Sequence, residues 1–378
     1  MKKWQSTSLV LVCAMLLLQC APEYPEAEVR STLQKTCAYL WSKQGTDGGW
    51  HSETTGLMKG GESATAFVLH TLLQVPGSIF SAPPGGKEKA LTFLRNHINE
   101  AGILGLSDAD IIDYPNYSTA YALRIFAAHG APEDRRLVEK MTTYLLGQQF
   151  IEQRGLDTTH TGYGAWGFGE LKLPPGETAH VDLSHTRRAL ESLRTAFPGE
   201  DLPAFRHAAR FLKTLQSAED GGFISSSVTL GTNKGRWDGA NFHSYATATC
   251  DGLLALLAAG YSRNDPPVQA AFQWLKRFPE LDSPAGMPLD DPNQWHSAMF
   301  FYHLGMRAEA FAAMEYEGRW RADLAHILLP KQLPDGSFVN PAGAINKEND
   351  PLIASSLALI ALSSLFGIHE LVSVFIVR

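Results

Sequence analysis

Apolar residues recur at helical spacing along most of the 378-residue chain, and no stretch alternates apolar and polar positions over the length of a strand. Read on that period, the pattern predicts six helical hairpins. Val29–Trp41 pairs with Ser63–Leu73, Lys87–Glu100 with Tyr117–His129, and Val138–Gln149 with Thr186–Phe197. Phe205–Gln216 then pairs with Tyr245–Ala259, Pro266–Phe278 with Trp295–Phe311, and Trp320–Gln332 with Ala354–Phe366, leaving an apolar tail from Leu371 to Val377. Second helices are rich in small and aromatic residues, as in STAYAL, SATAFVL and SYATATC, which suits a crowded inner ring. First helices carry more Lys and Arg, as in LKTLQ and WLKR, which suits a half-exposed outer ring. The expected fold class is therefore all-α, a repeat of helical hairpins.

One turn returns through this pattern. Leu40 to Trp50 (LWSKQGTDGGW) places a Gln four residues after a Leu and follows it with a Gly-bearing turn and an aromatic. The same order recurs at Leu212–Phe223 and Leu328–Phe338, and a fainter copy runs from Leu145 through Gln149 to Trp166-Gly167-Phe168 across an inserted loop. Recurrence marks one supersecondary unit. The turn reads as a clamp between the end of an outer helix and the next inner helix, with Gln44 hydrogen-bonding backbone amides and Trp50 packed over the turn.

Composition narrows the function classes. At 44% hydrophobic and 19% charged the chain is globular, and a net charge of −7 leaves no basic footprint for nucleic acid. Lys2 and Lys3 ahead of an apolar run from Leu9 to Leu18 read as an export signal too short to span a membrane. With Cys20 behind it the segment resembles a bacterial lipoprotein signal, which implies lipidation of Cys20 and anchoring to a membrane of the cell envelope. The expected organisation is a signal over residues 1–20, a Pro/Glu linker over 21–28 and one domain over 29–378, acting as a monomer. Cys37 and Cys250 sit in apolar helical context and are expected to be buried free thiols, and no CxxC or Cys/His zinc spacing occurs.

The Gln turns resemble the QW repeats of the terpenoid cyclases, and the six hairpins resemble the (α/α)6 toroid that these enzymes share with protein prenyltransferases. Trp237–Leu257, with the segments that follow it, also resembles bacterial proteins known by prenyltransferase-like or squalene-cyclase-like repeats. The resemblance implies a toroid over essentially the whole chain after the linker. It does not carry the activity with it. Squalene-hopene-type cyclases use an Asp-x-Asp-Asp-Thr motif whose middle Asp protonates an alkene. The matching stretch here is Asp182-Leu183-Ser184-His185-Thr186, with Ser184 in place of the acid, and a hydroxyl is too weak an acid for that step. Asp182 or Ser184 is either a helix cap or, with His185, a polar functional pair. Prenyltransferase zinc ligands are missing as well, since Ala240 stands where a thiolate would follow Asp238, so no metal and no cofactor are expected. The thioester turn of α2-macroglobulin-like toroids is likewise absent at Lys59–Ser63.

These readings leave an apolar ligand, isoprenoid or lipid-like, bound by aromatic side chains: Tyr117, Trp166, Trp237, Tyr245, Trp295 and Tyr302. Asp182, His185, Asp238 and His303 are the candidate catalytic residues. A toroid enzyme acting on polysaccharide is the alternative, with Asp182 and Asp238 as paired carboxylates and Trp166 and Trp237 as a sugar platform. A non-catalytic envelope scaffold is the third reading.

Overall fold

The computed structural model describes residues 24–105, 114–169 and 173–367. Cys20 and the tail Leu371–Val377 lie outside the described residues. The helices, in order, are α1 (Glu26–Ser42), α2 (Glu62–Leu73), α3 (Gly86–His97), α4 (Pro115–His129), α5 (Arg135–Gly147), α6 (Leu183–Ala196) and α7 (Pro203–Leu215). They continue with α8 (Ala246–Ala258), α9 (Pro266–Arg277), the short α10 (Trp295–Ala298), α11 (Phe300–Ala313), α12 (Trp320–Leu328) and α13 (Pro351–Leu365). No strand occurs among the described residues beyond isolated bridges such as Gln216 to Phe223.

Helices α2, α4, α6, α8, α11 and α13 each pack on the next in that order, and α13 returns to α2, so the second helices of the hairpins close an inner ring. The first helices pack outside it, α1 on α13 and α9 on α8 among them. The fold is an (α/α)6 toroid. Side-chain pattern explains the two layers. In α7 burial follows one stripe of Ala204, Phe205, Ala208, Phe211, Leu212 and Leu215, as a half-exposed helix requires. From Leu352 to Leu365 every residue of α13 is buried, because an inner helix meets neighbours on all sides.

The recurrent turn is a clamp, with partners that differ from those expected. Gln44 Nε2 donates to two carbonyls, Gly48 O in its own turn and Gly86 O at the start of the next outer helix, both at 2.9 Å. Gln149 does the same toward Gly164 O and Ala204 O, and Gln216 toward Gly221 O and Pro267 O. Gln332 donates to Gly336 O and, at 2.9 Å, to Thr32 O in α1, so the last clamp closes the ring. A side-chain amide is the right group, since one NH2 supplies two donors. Gly336 holds φ +91°, and a Cβ there would lie 2.6 Å from Lys35 O.

The residue that ends the turn, aromatic in four of five hairpins, makes the link to the inner helix. Trp50 N–H donates to Thr65 Oγ1 at 2.8 Å, while its indole donates to Leu40 O at 2.6 Å. Trp166 repeats both contacts with Thr186 and Leu145. Leu104, Phe223 and Phe338 donate in the same way to Thr119, Thr249 and Ser355. A hydroxyl in the first turn of the inner helix is thus part of the repeat in five of the six hairpins. In the remaining one, the fourth residue of α11 is His303, whose Nε2 meets Glu280 O at 3.1 Å, and Arg307 donates to Leu275 O and Phe278 O at 2.8 Å each.

The expected single helix Trp295–Phe311 is broken at Met299, which has φ −106° and ψ 35°. The buried Glu348 carboxylate accepts from Phe301 N at 2.9 Å and Tyr302 N at 2.8 Å, so it caps a new helix where a continuous one would have used its own carbonyls.

Candidate functional site

The first turns of the six inner helices meet around a cavity of about 430 Å³. Ser63 and Phe67 come from α2, Tyr117 and Ser118 from α4, Ser184, His185 and Arg188 from α6, Thr247, Ala248 and Asp251 from α8, Tyr302 from α11, and Ile353 and Leu357 from α13. Connecting segments add Met58, Tyr114, Phe168, His180, Lys234, Tyr245, Met299 and Lys347, and the short α10 adds Trp295. A volume of this size suits a small molecule, and aromatic and aliphatic walls with a few placed polar groups are the usual composition of such sites.

One wall carries an imidazole–carboxylate–imidazole group. His180 and Asp182 are two residues apart in an extended segment, so both side chains leave it on one side, while Val181 between them is buried on the other. Asp182 then begins α6 as its N-cap. Its Oδ1 accepts from His185 N–H at 2.9 Å, from Ser184 Oγ at 3.0 Å and from His185 Nδ1 at 2.9 Å. Oδ2 accepts from His180 Nε2 at 2.6 Å. Asp182 is therefore both a cap and a partner to two imidazoles. Burial pushes its carboxyl up, but His185 and His180 outweigh burial and hold it well below the usual carboxylate range. The ring of His180 stacks on Phe168 with centroids 3.7 Å apart, and His185 lies among Tyr114, Tyr117 and Phe168. The carboxylate takes the Nδ1–H of His185, and the Nε2 of that ring is buried and without a hydrogen-bond partner among the described residues. These three side chains are also the one group among the described residues whose donor atoms, all within 4.8 Å, have the types and spacing to hold a metal ion.

The floor is a neutral network of six charges. Arg187 reaches Glu191 at 2.6 Å, Asp251 at 2.9 Å and Glu309 at 2.5 Å, and Arg188 and Arg124 each reach Glu191 at 2.8 Å. Burial pushes the Glu191 carboxyl up, but the three guanidinium groups outweigh it and bring it down to about 2. Asp251 also accepts from Tyr302 Oη at 2.7 Å, yet burial raises its carboxyl above the usual range. Two lysines complete the lining. Lys234 Nζ donates to Thr232 O at 2.8 Å and lies 4.7 Å from the Trp295 ring centre, and Lys347 Nζ lies 4.9 Å from that of Tyr114. Burial pulls the Lys234 ammonium down, while Asp182 and Asp251 pull it up.

Of the residues singled out from sequence, the structure gathers Asp182, His185, Tyr117, Tyr245, Trp295 and Tyr302 at this cavity. Four others lie outside its lining. Asp238 is on an exposed turn beside His243, where it accepts from Ala240 N and Asn241 N at 2.8 Å. His303 is fully buried against Glu280 O in the repeat's hydroxyl position. Trp166 is fully buried with its indole committed to Leu145 O, and Trp237 is exposed against Phe242. The pairing of Asp182 with Asp238 and the sugar platform of Trp166 and Trp237 are therefore not formed at the cavity. Sequence reasoning missed His180, Asp251, Lys234 and Lys347. A signal existed for His180, since a residue two before an N-cap in extended backbone shares its side.

No family model and no curated relative matches the chain. Solved structures do match its fold. The type II terpene cyclase MstE from Scytonema aligns over 91% of this chain and 98% of its own at a TM-score of 0.55 and 17% identity. A variant of the same cyclase in complex with its product, merosterolic acid A, gives 0.58 at 15% identity, over 91% of this chain and 98% of its own. The GH76A α-1,6-mannanase from Salegentibacter sp. aligns over 90% of this chain and 100% of its own, at 0.56 and 10% identity. The chain shares the (α/α)6 toroid fold of these solved structures.

Proposed function

We propose that this toroid binds a largely apolar small molecule, of isoprenoid or lipid type, in the cavity at the head of its inner ring, and that the His180–Asp182–His185 group acts on it. The observation that carries the reading is the lining. Phe67, Tyr117, Tyr302, Ile353 and Leu357 come from four of the six inner helices, Tyr245 from the loop before α8 and Trp295 from the short α10, to wall one space. A cyclase of this fold holds an isoprenoid-derived product, which agrees with the reading. The chemistry differs from alkene protonation. Asp182 is held as an anion and Ser184 is a hydroxyl, so the wall offers an imidazole oriented by a carboxylate, suited to moving a proton to or from oxygen or nitrogen. Mass spectrometry of solvent extracts of the purified protein tests the reading. A stoichiometric apolar compound supports it, and a protein that carries none and binds none of a panel of isoprenoid alcohols and lipids contradicts it.

The polysaccharide reading loses its expected carboxylate pair and platform to the positions of Asp238, Trp166 and Trp237. Export and lipid attachment at Cys20 belong to the proposal on the sequence of residues 1–20, and labelling with a radioactive fatty acid, lost in Cys20→Ser, tests them.

A further inference from the structure

We infer that the ligand is an amphipathic anion, with its carboxylate or phosphate held between Lys234 and Lys347 and its apolar part in the aromatic cavity. This inference rests on the apolar-ligand reading above. Most of the cavity's charges answer one another through hydrogen bonds, and Asp182 and Asp251 act on Lys234 only through space. On the floor, Arg124, Arg187 and Arg188 face Glu191, Asp251 and Glu309, three against three. On the wall, Asp182 is engaged by His180, His185 and the first amides of α6. The two ammonium groups remain. Both line the cavity and are half-buried, and among the described residues neither has a carboxylate partner; each has an aromatic face, and Lys234 one carbonyl.

A cation withdrawn from water without a counter-charge is costly, and a ring face returns only part of that cost. The backbone adds a second sign. Lys347 sits at φ +63°, a conformation that Gly or Asn adopts more cheaply. That backbone conformation carries the Lys347 side chain onto the Tyr114 ring at the cavity. Carboxylate and phosphate share the required chemistry, oxygen acceptors with negative charge for two ammonium donors.

Isothermal titration of the full chain with decanoate, decyl phosphate and decanol, each below its micellar concentration, tests the inference. The anions are expected to bind about tenfold or more tightly than the alcohol, the scale of one charge-assisted contact. Lys234→Met and Lys347→Met should each shrink that preference and the double variant should erase it, while Lys347→Arg keeps it. Whichever anion binds more tightly identifies the headgroup class. If all three ligands bind alike, or if the preference survives in the double variant with an unchanged melting temperature, the inference is overturned and the apolar reading stands. If none binds, both fall.

Discussion

His303 is where the repeat and the chemistry can be told apart by stability alone. It takes the place that Thr or Ser holds in the other inner helices, fully buried with Nε2 against Glu280 O. Burial, helped by the nearby Arg307 charge, brings its imidazole down to about 3 from an ordinary 6.5. Above pH 6.5 the side chain is neutral in both folded and unfolded chains, and it costs nothing. Below 6.5 the unfolded chain takes up a proton that the folded chain refuses, so stability is lost from 6.5 down toward 3. At pH 5 the loss from this one residue is about 2 kcal/mol, from 1.4 kcal/mol per pH unit over the interval to 6.5. His70, also buried and pushed down, acts in the same direction, so the effect has to be isolated by difference. The perturbation is His303→Thr, which restores the repeat's hydroxyl. Urea unfolding of both proteins at pH 8 and pH 5 provides the comparison. Between those pH values the gap should move by about 2 kcal/mol in favour of the variant. A gap that stays constant to within about 0.5 kcal/mol would refute the assignment of His303 as a neutral buried strut.

Gln332→Ala removes the amide that ties its own turn, at Gly336 O, to Thr32 O and Thr36 Oγ1 of α1, and should cost about 1–3 kcal/mol in thermal or urea unfolding. Arg187→Met strips one guanidinium from Glu191, Asp251 and Glu309, and the uncompensated buried acids should lower stability by about 3–5 kcal/mol, read as a much lower urea midpoint. Cys37 and Cys250, both buried and with thiols pushed up to about 12, should stay unmodified by a thiol reagent at pH 8 until the protein is unfolded, as peptide mapping would show.

The fold was legible because the toroid repeats its devices. A Gln four residues past a Leu and a Gly turn before an aromatic are local in sequence, so spacing alone displays them. What spacing does not show is the partner. Gln44 reaches Gly86, forty-two residues on, and Gln332 reaches back three hundred residues to Thr32. Trp166 illustrates how one signal can mislead: it belongs to a clamp, yet its aromatic character placed it among the ligand binders. His303 could have been read correctly by lining up the first turns of the inner helices, where Thr65, Thr186 and Thr249 stand at the fourth residue. Asp182 and His185 were visible as an N-cap with its third residue. Lys234 and Lys347 were not, because irregular loops carry no period and their approach to one space is purely tertiary.

The central claim is that the space at the head of the inner ring holds an apolar ligand, and filling that space tests it most directly. Ala248 lines the cavity from α8, and Ala248→Trp would occupy the volume from the inside. Native mass spectrometry of both proteins, purified alike and matched for melting temperature, should show one apolar compound per chain in the original and none in the variant. Equal ligand content in the two proteins, or none in either after exposure to the lipid and isoprenoid panel, would contradict the account.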